Sequence, residues 1–139
     1  MVSDIKIKHL EMVQAVINRM ASNSFMLKGW AVTLVAGVFV LASKDSNKIF
    51  FLIAYIPIVM FWFLDSYYLR LERQYRALYN SIRVEQSEDN TDFNLSPPPT
   101  NVNDKTVLHQ SLLSPTELGF YLPFALLVAV VIVISCMIR

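Results

Sequence analysis

The sequence is poor in the residues from which most catalytic sites and covalent staples are built. Its 139 residues include one cysteine, Cys136, so neither an intrachain disulfide framework nor a thiolate zinc site can be assembled. Three glycines, Gly29, Gly37 and Gly119, are too few for a glycine-rich phosphate loop, and neither G-x-S-x-G nor H-E-x-x-H occurs. The two histidines, His9 and His109, have no Cys, Asp or Glu at metal-ligand spacing. Intramembrane proteolysis needs a buried Ser and His or paired aspartates, and Asp65 is the one aspartate at the edge of an apolar run. An enzyme is therefore not expected, nor is a metal or cofactor. Charge is scarce as well: 17% of residues are charged, against roughly 25% in soluble domains. A net charge of +1 excludes a globally basic nucleic-acid binder but not a local basic face.

What the chain has in excess is apolar residues, 55% of the total, gathered in blocks that call for lipid as solvent. Residues 29–43 carry no charge, so a first span is expected from about Phe25 to Ser43, reaching full thickness only with Lys28 and Lys44 snorkelling to the headgroups. The polar link SKDSNK at 43–48 leads to a second run, IFFLIAYIPIVMFWFL at 49–64. Together they predict a tight helical hairpin whose second member is kinked at Pro57. A third uncharged run, Leu118 to Ile138, covers about 30 Å at about 1.5 Å per residue. It is introduced by Ser114, Pro115 and Glu117, an S-x-x-E capping box with proline at the first helical position. The first 24 residues carry charge as far as Arg19 and lack the apolar core and cleavage site of a secretory signal, so the first span is expected to direct its own insertion.

Helical periodicity extends beyond the apolar runs. In residues 8–22, Leu10, Met12, Val13, Val16, Ile17 and Met20 fall on one face, with Lys8, Glu11, Gln14, Asn18, Arg19 and Ser22 opposite. This amphipathic helix either lies on lipid or packs on another helix, and its modest basic content favours packing. After the second run, Tyr68, Leu71, Tyr75, Leu78, Tyr79 and Ile82 keep helical phase, with Arg70, Arg73, Arg76 and Arg83 on the other side and Glu72 spaced i,i+4 from Arg76. The acidic, Asn- and Ser-rich stretch that follows contains Pro97, Pro98 and Pro99; it reads as a flexible tether, its prolines as a spacer in preference to a docking ligand. The expected fold is an all-α membrane protein with three transmembrane helices, an N-terminal amphipathic helix and a cytoplasmic extension of the second span. Its parts are residues 1–23, the hairpin 24–69, the extension 70–83, the linker 84–113 and the third span 114–139.

Orientation follows from the cations. With the N-terminus cytoplasmic, Lys6, Lys8, Arg19, Lys28, Arg70, Arg73, Arg76, Arg83 and Lys105 lie inside, and Lys44, Lys48 and Arg139 outside. The positive-inside rule selects this arrangement, which leaves the C-terminus outside. Trp30, Trp62, Tyr67, Tyr68 and Tyr121 then collect near the inner interface, where amphipathic rings prefer to lie.

Asp65 is the most informative polar residue, because an ionisable group in an apolar run is costly and usually partnered. Lys28 enters the first span at the same inner depth. A Lys28–Asp65 pair locking the hairpin is the leading expectation, ahead of interfacial solvation and of a place on an ion or proton path. The arginines at 70, 73, 76 and 83 form a basic face suited to anionic lipid, to a cytoplasmic protein partner, or to a phosphate-bearing nucleotide or oligonucleotide. Ala31, Thr33, Ala36 and Gly37 offer close helix approach. Three spans scarcely enclose a pore, so conduction would need a homo-oligomer.

The segments NRMASNSFMLKGWAV at 18–32 and FWFLDSYYLRLERQYRALY at 61–79 resemble a group of small bacterial multi-span membrane proteins that are similar to membrane effectors of anti-phage defence systems. The resemblance covers about residues 8–83 and contains no catalytic motif. It implies an oligomer in the bacterial inner membrane whose cytoplasmic helices sense a signal and whose spans form a signal-gated channel or disrupt the bilayer. The competing expectation is a non-conducting scaffold or accessory subunit that anchors a cytoplasmic partner.

Overall fold

The computed structural model describes residues 4–42, 52–84, 93–97 and 108–137. Among them there are helices and no strands. Helix α1, Asp4–Ala42, runs for 39 residues without interruption, so the amphipathic segment and the first apolar run are one rod. A single stripe explains this. His9, Val13, Ile17, Met20, Ser24, Lys28, Ala31, Val35, Val38 and Ala42 recur at spacings of three or four, and all are buried or half-buried. The composition of the solvent face changes near Ser22–Ser24, but the facing stripe passes through that point in phase. Within the first segment, Met12 is exposed, in contrast to the expected face, and His9 takes the inward position. Asp4 in the first turn favours initiation through the helix dipole.

Helix α2, Tyr55–Val84, returns antiparallel along α1, with Lys6 reaching the Arg83 carbonyl at one end and Lys28 meeting Asp65 near the middle. The apolar run does not form one kinked helix. Leu52 and Ile53 are helical, Ala54 is a turn, and α2 starts after it. Pro57 accounts for the place of the break: in a continuous helix its ring would clash with the Ile53 carbonyl and leave that carbonyl unbonded, whereas in a first turn the missing N–H is no loss.

Helix α3, Leu108–Leu112, falls within the stretch expected to be a tether and lies against α2. After a turn, α4 covers Pro115–Met137. Pro115 occupies its first position, and the Leu118 N–H donates to the Ser114 carbonyl at 2.9 Å. Pro123 lies inside α4, where it cannot donate to the Gly119 carbonyl.

Two apolar clusters hold the helices. Ala31 and Val35 of α1 meet Ala54, Ile58 and Phe61 together with Tyr121 and Val128 of α4. Towards the other end, Val13 and Ile17 pack on Ile82, and Leu95 of the segment 93–97 covers them. Among the residues expected to permit close approach, Ala31 is buried, while Thr33, Ala36 and Gly37 face outward.

Among the described residues, two helices are long and apolar enough to cross a membrane, Asp4–Ala42 and Pro115–Ile134, and 17% of each apolar window is buried inside the protein. So low a burial leaves Trp30, Val40, Leu41, Leu126 and Val130 exposed, which is compatible with contact with lipid. The second apolar run is divided between residues before and after Ala54, which leaves α2 with fewer apolar residues than a full span.

Candidate functional site: a buried polar knot

After His9 the stripe of α1 is apolar except in its middle, where Ser24 and Lys28 stand one turn apart. Opposite them α2 presents Asp65, which is wholly buried. Lys28 Nζ pairs with Asp65 Oδ2, and the Ser24 hydroxyl donates to Oδ1. Helix α4 closes the site from the third side: the Tyr121 hydroxyl donates to Asp65 Oδ2 at 3.1 Å, and Glu117 Oε1 lies 3.3 Å from Lys28 Nζ. Lys28 Nζ also donates to Ser24 Oγ at 3.2 Å. Its distances to the Phe120 and Tyr121 ring centres are 5.8 and 5.9 Å, within the range of cation–π attraction.

The structure thus brings Lys28 and Asp65 together and adds three residues that the sequence reading did not place there: Ser24, Glu117 and Tyr121. Its spacing from Ser114 predicts a helix-capping role for Glu117. One arm of that cap exists, since the Glu117 N–H donates to Ser114 Oγ at 3.5 Å. The other does not, because the Ser114 N–H is used by the Ser111 carbonyl at 3.1 Å and the Glu117 side chain turns to Lys28 instead. The i,i+4 spacing of Glu117 and Tyr121 beside a span edge was the available signal.

Two buried carboxyl groups share one ammonium, and Lys28 retains 18% side-chain exposure while Asp65 has none. Asp65 receives three donors, which nearly fills its capacity in the plane of the carboxylate. Glu117 Oε2 is buried with no hydrogen-bond partner. Breaking such a pair leaves an uncompensated charge away from water, so the knot makes the packing of α1, α2 and α4 mutually dependent.

Around the knot, Trp62 stacks on Tyr121 with ring centres 6.2 Å apart and donates Nε1 to the Leu112 carbonyl at 3.1 Å. That bond fixes α3 against α2. The four arginines of α2 have separate surroundings. Arg76 pairs with Glu72 at 2.8 Å, Arg83 is exposed, and Arg73 Nη1 donates to Ser111 Oγ at 3.4 Å. Arg70 is half-buried, and its Nε has no hydrogen-bond partner. At the far end of the pair, His9 Nε2 lies 3.2 Å from the Asn94 carbonyl and its ring contacts Phe93, which seats residues 93–97 on α1; His109 is exposed on α3.

No family model matches the chain, and no match is found among curated proteins or solved structures.

Proposed function

We propose that the protein is a three-span, non-enzymatic protein of the bacterial inner membrane, with its N-terminus and the paired ends of α1 and α2 in the cytoplasm and its C-terminus outside. In this reading the second span comprises the apolar residues on both sides of Ala54. The protein acts as an oligomeric signal-gated effector that permeabilises the membrane. The observation that carries the reading is continuity: α1 and α2 each pass from a polar half into an apolar half without a break, and the polar knot ties them to α4 at that crossing. Displacement of the cytoplasmic ends is then transmitted to all three spans, because packed helices joined by a buried network move as discrete units. The resemblance of residues 18–32 and 61–79 to small bacterial membrane effectors supports the same assignment. The test is induced expression in bacteria with the neighbouring genes and their trigger, followed with a potential-sensitive dye. Collapse of the potential is expected; an intact potential sinks the effector reading.

A specific observation favours the second reading, a non-conducting scaffold. The carboxyl groups of the knot and Tyr121 are buried inside one subunit, and the outward side chains Leu122, Leu126, Leu127, Val130 and Val133 of α4 are apolar. This arrangement lines no ion path between subunits. A protein that is monomeric in mild detergent and gains order only with a second gene's product is the scaffold outcome.

A further inference from the structure

Beside the knot, α1 and α2 leave a surface groove of about 240 Å³ lined by Asn23, Met26, Leu27, Trp30, Leu64 and Tyr68. It borders the knot, because Asn23, Leu27 and Leu64 are the chain neighbours of Ser24, Lys28 and Asp65. Asn23, Leu27 and Trp30 follow one another at helical spacings of four and three, so the groove runs along α1 for about 10 Å. The two helices are antiparallel, with Lys28 against Asp65 and Lys6 at the Arg83 carbonyl. Asn23 and Tyr68 therefore share the end towards the polar halves, and Trp30 and Leu64 the end towards the apolar halves.

Polarity is graded along this groove. Met26, Trp30 and Leu64 are exposed and Leu27 is half-buried, so one end offers apolar surface almost alone. At the other end stand the Asn23 amide and the Tyr68 hydroxyl, both on half-buried residues. Neither side chain makes a hydrogen bond among the described residues. The Tyr68 ring is held edge-on by Tyr67, with ring centres 6.0 Å apart.

This grade matches a glycerophospholipid, in which an alkyl chain hangs below an ester carbonyl. An amide N–H and a phenolic O–H both donate to such carbonyls. A fatty-acid carboxylate needs a cation at that depth, and Lys28 is committed to Asp65 and Glu117. At about 240 Å³ the groove is smaller than the roughly 300 Å³ at which sites for drug-sized ligands begin, so it takes one slender chain. A helix of a second copy fits it poorly, because close helix approach in a membrane needs small residues and the rim here is Met26, Trp30 and Leu64.

We infer that this groove is a binding site for one acyl chain of a membrane glycerophospholipid, with the Asn23 amide and the Tyr68 hydroxyl at its ester carbonyls. The inference rests on the membrane reading of α1 and α2, which puts Asn23 and Tyr68 on the headgroup side and Trp30 on the hydrocarbon side. Recognition runs through the esters, so the headgroup contributes little to it.

The test uses the purified full-length protein in mild detergent with one equivalent of phosphatidylglycerol that carries a photoactivatable diazirine halfway along one chain. Peptide mapping is expected to place the label on residues 26–30 and 64–68, with little on the exposed Leu126 and Val130 of α4. Native mass spectrometry then reads retention of unlabelled lipid. Met26→Trp fills the groove and is expected to lower retention about five-fold. Tyr68→Phe and Asn23→Leu each delete one donor and are expected to lower it about two- to five-fold. Leu126→Trp adds the same ring to exposed α4 and is expected to leave retention unchanged. Phosphatidylethanolamine is expected to compete equally with phosphatidylglycerol, and a free fatty acid to compete poorly. Label spread evenly over α1 and α4, or retention indifferent to Met26→Trp, reduces the lipid to general bilayer contact and overturns the site. Loss of cross-linked dimers in Met26→Trp with unchanged lipid retention gives the groove to a second copy and overturns it as well. Tyr68→Phe preserves the ring, so lost retention at the parent's melting temperature keeps misfolding from imitating the result. Release of the parent from membranes by alkaline carbonate overturns the membrane reading; a parent that resists carbonate yet labels evenly overturns the groove alone.

Discussion

Glu117 lies 3.3 Å from Lys28 although that ammonium already belongs to Asp65. The two carboxyl groups are therefore unequal members of one knot. Asp65 is the acceptor on which α1 and α4 converge, whereas Glu117 meets Lys28 through one oxygen and leaves the other without a hydrogen-bond partner.

Asp65→Asn is expected to destabilise the folded protein by about 3 kcal/mol, because Lys28 is left without its main counter-charge. Thermal unfolding in detergent, followed by the fluorescence of Trp62 and Trp30, measures it. Unchanged stability and assembly would remove Asp65 from any locking role.

Glu117→Gln preserves volume and lets an amide oxygen face Lys28, so its effect is expected to be below about 1 kcal/mol. The same unfolding assay ranks the two substitutions. A loss equal to that of Asp65→Asn contradicts the unequal roles.

Trp62→Phe removes the donor to the Leu112 carbonyl while keeping an aromatic ring against Tyr121. The expected cost is about 1 kcal/mol, with faster amide exchange confined to residues 108–112. Exchange that rises equally through α4 would mean that the bond does more than seat α3.

The stripe on α1 makes Ile17 and Met12 unequal despite their shared apolar character. Ile17→Ala, at a buried position, is expected to cost about 3 kcal/mol, and Met12→Ala, at an exposed one, less than about 0.5 kcal/mol. Reversal of that order in chemical denaturation would place the facing stripe elsewhere.

Gly37 has nothing within 4 Å of where a Cβ would stand, so Gly37→Leu is expected to leave the single subunit as stable as before. Its effect on cross-linking in native membranes reports assembly. Loss of cross-linked oligomers places the outward Gly29–Thr33–Gly37 face between subunits; full retention takes that face out of the interface.

Legibility differed from residue to residue for physical reasons. Lys28 and Asp65 each interrupt an apolar run at the same depth, and so draw attention without any structure. Glu117 could be explained locally, as a capping residue four positions before Tyr121, and a local explanation hides a long-range one. The continuity of α1 was obscured because its composition changes near residue 23 while the inward stripe, including His9 and Ser24, does not. Pro57 marked the irregularity in the second run, but the distortion settles at Ala54, near the carbonyl the proline cannot tolerate. Arg73 meets Ser111 of α3 and Arg76 meets Glu72 of its own helix, and spacing alone resolves only the second of these contacts.

The position of Ser24 has a mechanical meaning. It lies close to the midpoint of a helix of 39 residues, a rod about 58 Å long at about 1.5 Å per residue. Held there by Asp65, the rod would act as a lever with its fulcrum at the centre wherever the apolar contacts on either side give way. A tilt of about 10° would sweep its two ends about 5 Å in opposite directions, so a push at His9 would arrive at Ala42 undiminished in size and reversed in sense.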